Sequence, residues 1–107
     1  MFGLSEDKIA KWGENKKAAK LVKAAGTRKE NLRLAVAKAM GNVEDEQVFN
    51  ILITFLRDRN PEIRIAAMES LQKINNKNAI EHVRGLINDS DTKVSEKARE
   101  VLKALHD

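Results

Sequence analysis

The sequence predicts an all-α fold, a right-handed α-solenoid (an alpha-alpha superhelix) of about three helix pairs with an N-terminal capping helix. Three observations carry that expectation. First, the chain repeats itself at a spacing of 31 residues, so that 18–43, 49–74 and 80–105 align without a gap. Second, eight columns of this alignment are apolar in every copy: Ala18/Phe49/Ile80, Leu21/Leu52/Val83, Ala24/Phe55/Leu86, Ala25/Leu56/Ile87, Leu32/Ile63/Val94, Val36/Ala67/Ala98, Met40/Leu71/Leu102 and Val43/Ile74/Leu105. Third, the apolar residues of each copy recur by threes and fours in two runs separated by a turn, the signature of two amphipathic helices. A fixed period of this size marks stacked units, none of which can bury its apolar face alone.

The elements follow in order. Residues 5–12 read as a short helix capped by Ser5, which packs Ile9 and Trp12 against the first repeat; a lone Trp on a short helix serves to hold it down. In the first repeat, Thr27 and Glu30 have the Thr-x-x-Glu spacing of a capping box. In the middle repeat, 46–57 carries Val48, Phe49, Leu52, Phe55 and Leu56 at helical spacing, with Asp45 as its cap. Asp58-Arg59-Asn60 breaks that helix, and Pro61 opens the next one with Asn60 capping it. Residues 62–74 then place Ile63, Ala67, Ser70, Leu71 and Ile74 on one stripe. Asn75-Asn76 ends the helix, and Asn76 can cap the one after. In the third repeat Asp89-Ser90-Asp91 forms the turn, with Asp91 in the capping column. The expectation is seven helices and no strands in a single domain over 1–107: an N-terminal cap 1–14, repeat 1 at 15–45, repeat 2 at 46–76, and repeat 3 with the C-terminal cap at 77–107.

The third copy departs from the others in three columns: Ala35/Ala66/Lys97, Leu34/Ile65/Glu96 and Val22/Ile53/Arg84 turn from apolar to charged. The last repeat of a solenoid has no neighbour on one side, so its outer face must be polar. On that reading the chain is a whole short solenoid rather than an excised fragment.

Composition bounds the function. A chain of 107 residues, 42% hydrophobic and 34% charged, suits one ordered helical domain. There is no cysteine, hence no disulfide framework and no thiolate chemistry. No apolar run approaches a membrane span. Met1–Leu4 is followed at once by Ser5-Glu6-Asp7-Lys8, which leaves no signal-peptide core. The expected location is cytoplasmic. The net charge of +4 is unevenly placed: residues 1–43 hold ten Lys/Arg against four Asp/Glu, residues 44–74 four against six, and residues 75–107 six against six. All of the excess lies in the first half, which makes a directional field.

The stretch 56–74, LRDRNPEIRIAAMESLQKI, resembles the HEAT repeat, in particular the short-period type seen in phycobilin-lyase-related proteins. Asp58, Pro61, Arg64, Ala66 and Ala67 carry the resemblance, which covers about 15–107. What it implies is a ladder of hydrogen bonds between repeats, with Asp58, Asp89, Arg33 and Arg64 as its members. Thr27 stands where the Asp belongs and Ser95 where the Arg belongs, so the ladder is expected to weaken at both ends. HEAT-like arrays place their second helices on the concave side. They serve as adaptors, transport factors and lyase subunits, so the resemblance speaks to fold more than to function.

Catalytic chemistry is poorly supplied. His82 and His106 stand without an acidic or histidine cluster at ligand spacing and read as surface histidines. The His-Glu pairs of HEAT-like hydroxylases find no match, because the order here is Glu81-His82 and it occurs once. Gly3, Gly13, Gly26, Gly41 and Gly85 are scattered and make no phosphate loop. Glu44-Asp45-Glu46 sits at a helix start, where it complements the dipole. No catalytic residue, cofactor or metal is assigned.

Two surfaces remain. Lys16, Lys17, Lys20, Lys23 and Arg28, with Lys8, Lys11 and Lys29 near them, form a basic face. It is either a phosphate contact, with strong salt dependence, or a solvated face that keeps the protein in solution. Parts for base stacking are lacking: there is no Tyr, Trp12 is alone, and of Phe2, Phe49 and Phe55 the last two read as core. Lys outnumbers Arg thirteen to seven, whereas bidentate recognition prefers Arg. The other surface is apolar. At 100° per residue, Ile65 falls opposite Ile63, Ala67, Ser70 and Ile74, with Met68 flanking it, and Leu34 and Ala37 hold the same columns one repeat back. Leu34, Ile65 and Met68 are expected to form a small exposed strip, rimmed by Lys38, Glu69, Gln72, Arg99 and Lys103; curvature of the stack could instead cover Leu34 and Ile65. The functional reading is a non-catalytic protein-interaction scaffold that docks a partner helix or peptide, or a second copy, on this concave strip. The alternative is electrostatic binding of nucleic acid or another polyanion through the basic face. A third reading, an accessory subunit of a lyase-like enzyme, rests on fold analogy.

Overall fold

Each helix begins and ends where its local chemistry dictates. The structure is a computed structural model that describes residues 3–106. Phe2, named above for its ring, lies outside the described residues together with Met1 and Asp107. The helices are α1 (Glu6–Glu14), α2 (Ala18–Ala24), α3 (Glu30–Ala39), α4 (Glu46–Phe55), α5 (Pro61–Ile74), α6 (Ile80–Arg84) and α7 (Thr92–His106), with short 3₁₀ turns at Met40–Asn42 and Lys77–Ala79. Among the described residues there is no strand, and the architecture is an all-α solenoid.

Side-chain caps set four of the starts. The N–H of Lys8 donates to Ser5 Oγ, that of Val48 to Asp45 Oδ1, that of Glu62 to Asn60 Oδ1 and that of Val94 to Asp91 Oδ1. Each satisfies a donor that the first turn of a helix leaves unpaired. Pro61 opens α5, and Asn75, at φ 59°, closes it in the left-handed region that Asn tolerates. Asn76 caps the 3₁₀ turn that leads into α6. The capping box expected of Thr27 and Glu30 does not form. Helix α3 starts at Glu30 itself, Lys29 occupies the cap position without a side-chain bond, and the Thr27 hydroxyl accepts from the Lys29 N–H at 3.3 Å. A box needs its acid at the third helical position, and Glu30 is the first. Helix α1 runs two residues past its expected end, through Gly13 to Glu14.

The helices stack in two rows. α1, α3, α5 and α7 pack side by side, each against the next, while α2, α4 and α6 form a second row in which neighbours meet more sparsely. Closer packing in one row bends the stack toward it, so the α1–α3–α5–α7 row takes the inner side of the curve. The molecule is elongated, 43 × 25 × 17 Å, as four helices at 8–10 Å spacing require. Helix α1 stands first in the inner row and covers the flank of α3. Every side chain of the eight apolar columns is buried or half-buried. Leu21, Leu52 and Val83, one from each repeat, are wholly shielded from solvent. Two glycines set the closest approaches. A Cβ on Gly13 would lie 2.9 Å from the Ala39 Cβ and carbonyl oxygen, and one on Gly41 would lie 2.9 Å from Ser70 Oγ. At both points backbone meets helix with no room for a side chain.

Candidate functional site

The inner row positions most of what the chain offers a partner. Its first two helices frame an open cleft of about 380 Å³. Leu34 and Ala35 of α3 form its floor, Glu6, Asp7 and Glu14 of α1 supply one wall, and Lys38 stands on the other. The acids converge because 6, 7, 10 and 14 share an arc of about 100° on α1. Asn31 Nδ2 bridges the cleft to Glu6 Oε2 at 3.1 Å. A smaller recess of about 180 Å³ between α3 and α5 is lined by Lys38, Ala66, Glu69, Ser70 and Lys73. Polar groups tie the remaining helices together: Lys73 Nζ donates to Asn42 Oδ1 at 2.5 Å, and Lys97 Nζ sits 3.3 Å from carboxylate oxygens of both Glu69 and Glu100. Burial alone would lower the Lys97 pKa, but the hydrogen bonds to Glu69 and Glu100 outweigh it and raise the value.

The exposed apolar strip expected here is not present as drawn. Met68 is wholly buried, and Ala37 one repeat back is buried as fully. The corresponding residue of the last repeat, Arg99, is exposed and donates Nη2 to the Ile87 carbonyl at 3.1 Å. A column buried in two repeats and open in the third points along the stack toward the next unit, not into the groove. Met68 therefore packs between repeats, and Arg99 lies on the terminal flank rather than on a groove rim. Leu34 and Ile65 are half-buried and packed against the core. Among the described residues Leu4 is the one large apolar side chain classed as exposed. Lys38, Glu69, Gln72 and Lys103 are exposed.

The Arg and Asp side chains named above meet in a part-buried line. Arg33 Nε and Nη2 donate to the two carboxylate oxygens of Asp58 at 2.8 and 3.0 Å, while Nη1 donates to the carbonyls of Thr27 and Arg28. Arg64 repeats the pattern one unit on, with Nη1 to the carbonyls of Asp58 and Arg59 and Nη2 to Asp89 Oδ1 at 3.0 Å. Each arginine thus joins the turn of its own repeat to the turn of the next. The second rung is weaker, because Arg64 Nε is buried without a hydrogen-bond partner. Burial raises the Asp58 pKa, but the hydrogen bonds from Arg33 and from the Asn60 N–H outweigh it and hold the value below the usual carboxylate range. The Asp58 hydrogen bond in turn raises the Arg33 pKa.

Lys16, Lys17, Lys20, Lys23 and Arg28 are all exposed at the N-terminal end. Lys16 Nζ donates to the Asn42 carbonyl at 2.9 Å, and Lys20 Nζ lies 5.7 Å from the ring centre of half-buried Trp12. His82 and His106 are exposed, and no group of three His, Cys, Asp or Glu able to hold a metal occurs among the described residues. Sequence reasoning missed the acidic wall of the cleft. Its signal was available: on a helical wheel α1 gathers Glu6, Asp7 and Glu14 on one side and leaves Lys8 and Lys11 on another.

Comparison with curated proteins gives no match. No described helix is long and apolar enough to cross a membrane. Residues 10–103 match the family model of HEAT repeats, a match that does not single out the phycobilin-lyase-related type. Repeats of this family generally serve as scaffolds for protein interaction and are typically non-catalytic. A match that begins in the capping helix and runs into α7 carries one conclusion: the chain belongs to the HEAT repeat family.

Proposed function

We propose that this protein is a non-catalytic, cytoplasmic interaction module that docks a helical or extended segment of another protein on its inner row. The observation that carries the reading is the cleft between α1 and α3, where three carboxylates face a floor of Leu34 and Ala35. A segment that fits it presents an aliphatic side chain to Leu34 and basic side chains to Glu6, Asp7 and Glu14. Lys38, Glu69, Gln72 and Lys103 extend the contact as a polar rim, and half-buried Ile65 adds apolar surface. The area available on so short a stack lies near the lower end of stable interfaces, so the affinity is modest.

The test is capture from nuclease-treated host lysate with wild type, Leu34→Asp and the double variant Glu6→Lys/Glu14→Lys, with circular dichroism to verify folding. A defined protein held by wild type and lost by both variants supports the cleft. Its equal retention by the folded double variant overturns it, and that variant changes only exposed residues.

A further inference from the structure

The basic N-terminal face has a composition that solvation does not require. Residues 15–29 hold five Lys, one Arg and no Asp or Glu. The same columns one and two repeats on, 46–60 and 77–91, hold two basic residues against two and three acidic ones. The helices are equivalent in fold, so helix formation does not call for the bias. Helix α1 sorts its charge as well: Glu6, Asp7 and Glu14 line the cleft, while Lys8 and Lys11 are exposed outside it. Lys20 reaches over Trp12, which joins the lysines of α2 to those of α1. Among the described residues, none of Lys8, Lys11, Lys17, Lys20, Lys23 and Arg28 forms an ion pair. Six unneutralised cations on one flank repel one another and condense counterions, whose release drives binding to a dense polyanion.

We infer that this flank binds the phosphate backbone of duplex nucleic acid without reading its sequence. The partner class follows from what surrounds the lysines. Single strands need exposed rings for base stacking, and the nearest ring, Trp12, is half-buried beneath Lys20. A membrane surface needs apolar side chains to insert, and a single exposed Leu4 is far short of an amphipathic anchor. Base-edge recognition favours Arg, and five of these six cations are Lys, which meets phosphate as a point charge. The site faces away from the α1–α3 cleft, so the inference stands apart from the reading given for that cleft.

Fluorescence anisotropy with labelled DNA and RNA duplexes of mixed sequence tests it. Contact with about five phosphates predicts a log–log salt slope near −4.5 on DNA and a loss of about 500-fold in affinity between about 50 and 200 mM salt. Lys17→Gln/Lys20→Gln/Lys23→Gln removes three contacts and should reduce the slope to about −2. Arg84→Gln/Lys93→Gln/Lys103→Gln removes the same charge from exposed positions elsewhere and should bind as wild type. Absence of binding at the lower salt overturns the inference, as does equal weakening by both triple variants. Tighter binding to polyglutamate or to phosphatidylserine vesicles at matched salt also overturns it and moves the site to that partner.

Discussion

Asp58→Ala removes the acceptor at the centre of the line of arginines and turns. Asp58 takes two bonds from Arg33 and one from the Asn60 N–H, at 2.8, 3.0 and 2.9 Å. Its side chain is 11% exposed and that of Arg33 18%, so solvent screens the pair only in part. A hydrogen bond to a charged group contributes about 1.5–3 kcal/mol and a neutral one about 1. Against their loss stand the relief of burying a carboxylate and the two carbonyls that still accept from Arg33. The net cost is about 2–3 kcal/mol, above the 0–1 kcal/mol of an exposed pair and below the 3–5 of a fully buried one. Asp89 holds Arg64 by a single bond, so Asp89→Ala should cost about 1–2 kcal/mol on the same scale. Urea unfolding followed by circular dichroism measures both variants against wild type, with the slope of each transition checked for change. Equal costs, or a cost for Asp58→Ala below about 0.5 kcal/mol, would refute the argument that the bidentate rung is the stronger.

The same rung sets an acid limit. The folded Asp58 pKa lies below its unfolded value, so the contribution of the rung is complete above about pH 4 and is lost as pH falls through the folded value; an acid titration should show Asp58→Ala converging on wild type at the bottom of that range. Met68→Ala separates a core position from a groove position: full burial predicts a loss of about 2–5 kcal/mol, read from the urea midpoint, whereas a solvent-exposed methionine would lose under about 0.5.

Much of the architecture was legible because burial and capping are recorded locally. The 31-residue columns name side chains that are all at least half-buried, and Asp45, Asn60 and Asp91 cap helices from positions their own turns reveal. Thr27 shows the limit of such reasoning. Its spacing to Glu30 suits a box, but the turn carbonyls at 27 and 28 accept from Arg33, and α3 starts later than the spacing assumes. Met68 shows a different limit. A helical wheel allows one buried arc, yet an inner helix such as α5 is covered by its own partner α4 and by α3 and α7 on its two flanks. Two flanking neighbours widen the buried arc until it takes in Met68. For the cleft, periodicity found Leu34 and Lys38, but the acids opposite come from a helix outside the repeat, and only the packing of α1 on α3 brings them there.

The close approaches at Gly13 and Gly41 have a geometric consequence. Where backbone rests on a neighbouring helix, the hinge angle between successive units is fixed by atoms that cannot change rotamer. Both contacts act on α3 and its neighbours, near one end of a 43 Å body. A turn of about 5° at such a joint would swing the far end by roughly 3–4 Å, through the lever that any stacked array provides. One methyl group at either glycine would thus register most strongly not where it is added but at α7, as a change in the bend of the whole molecule.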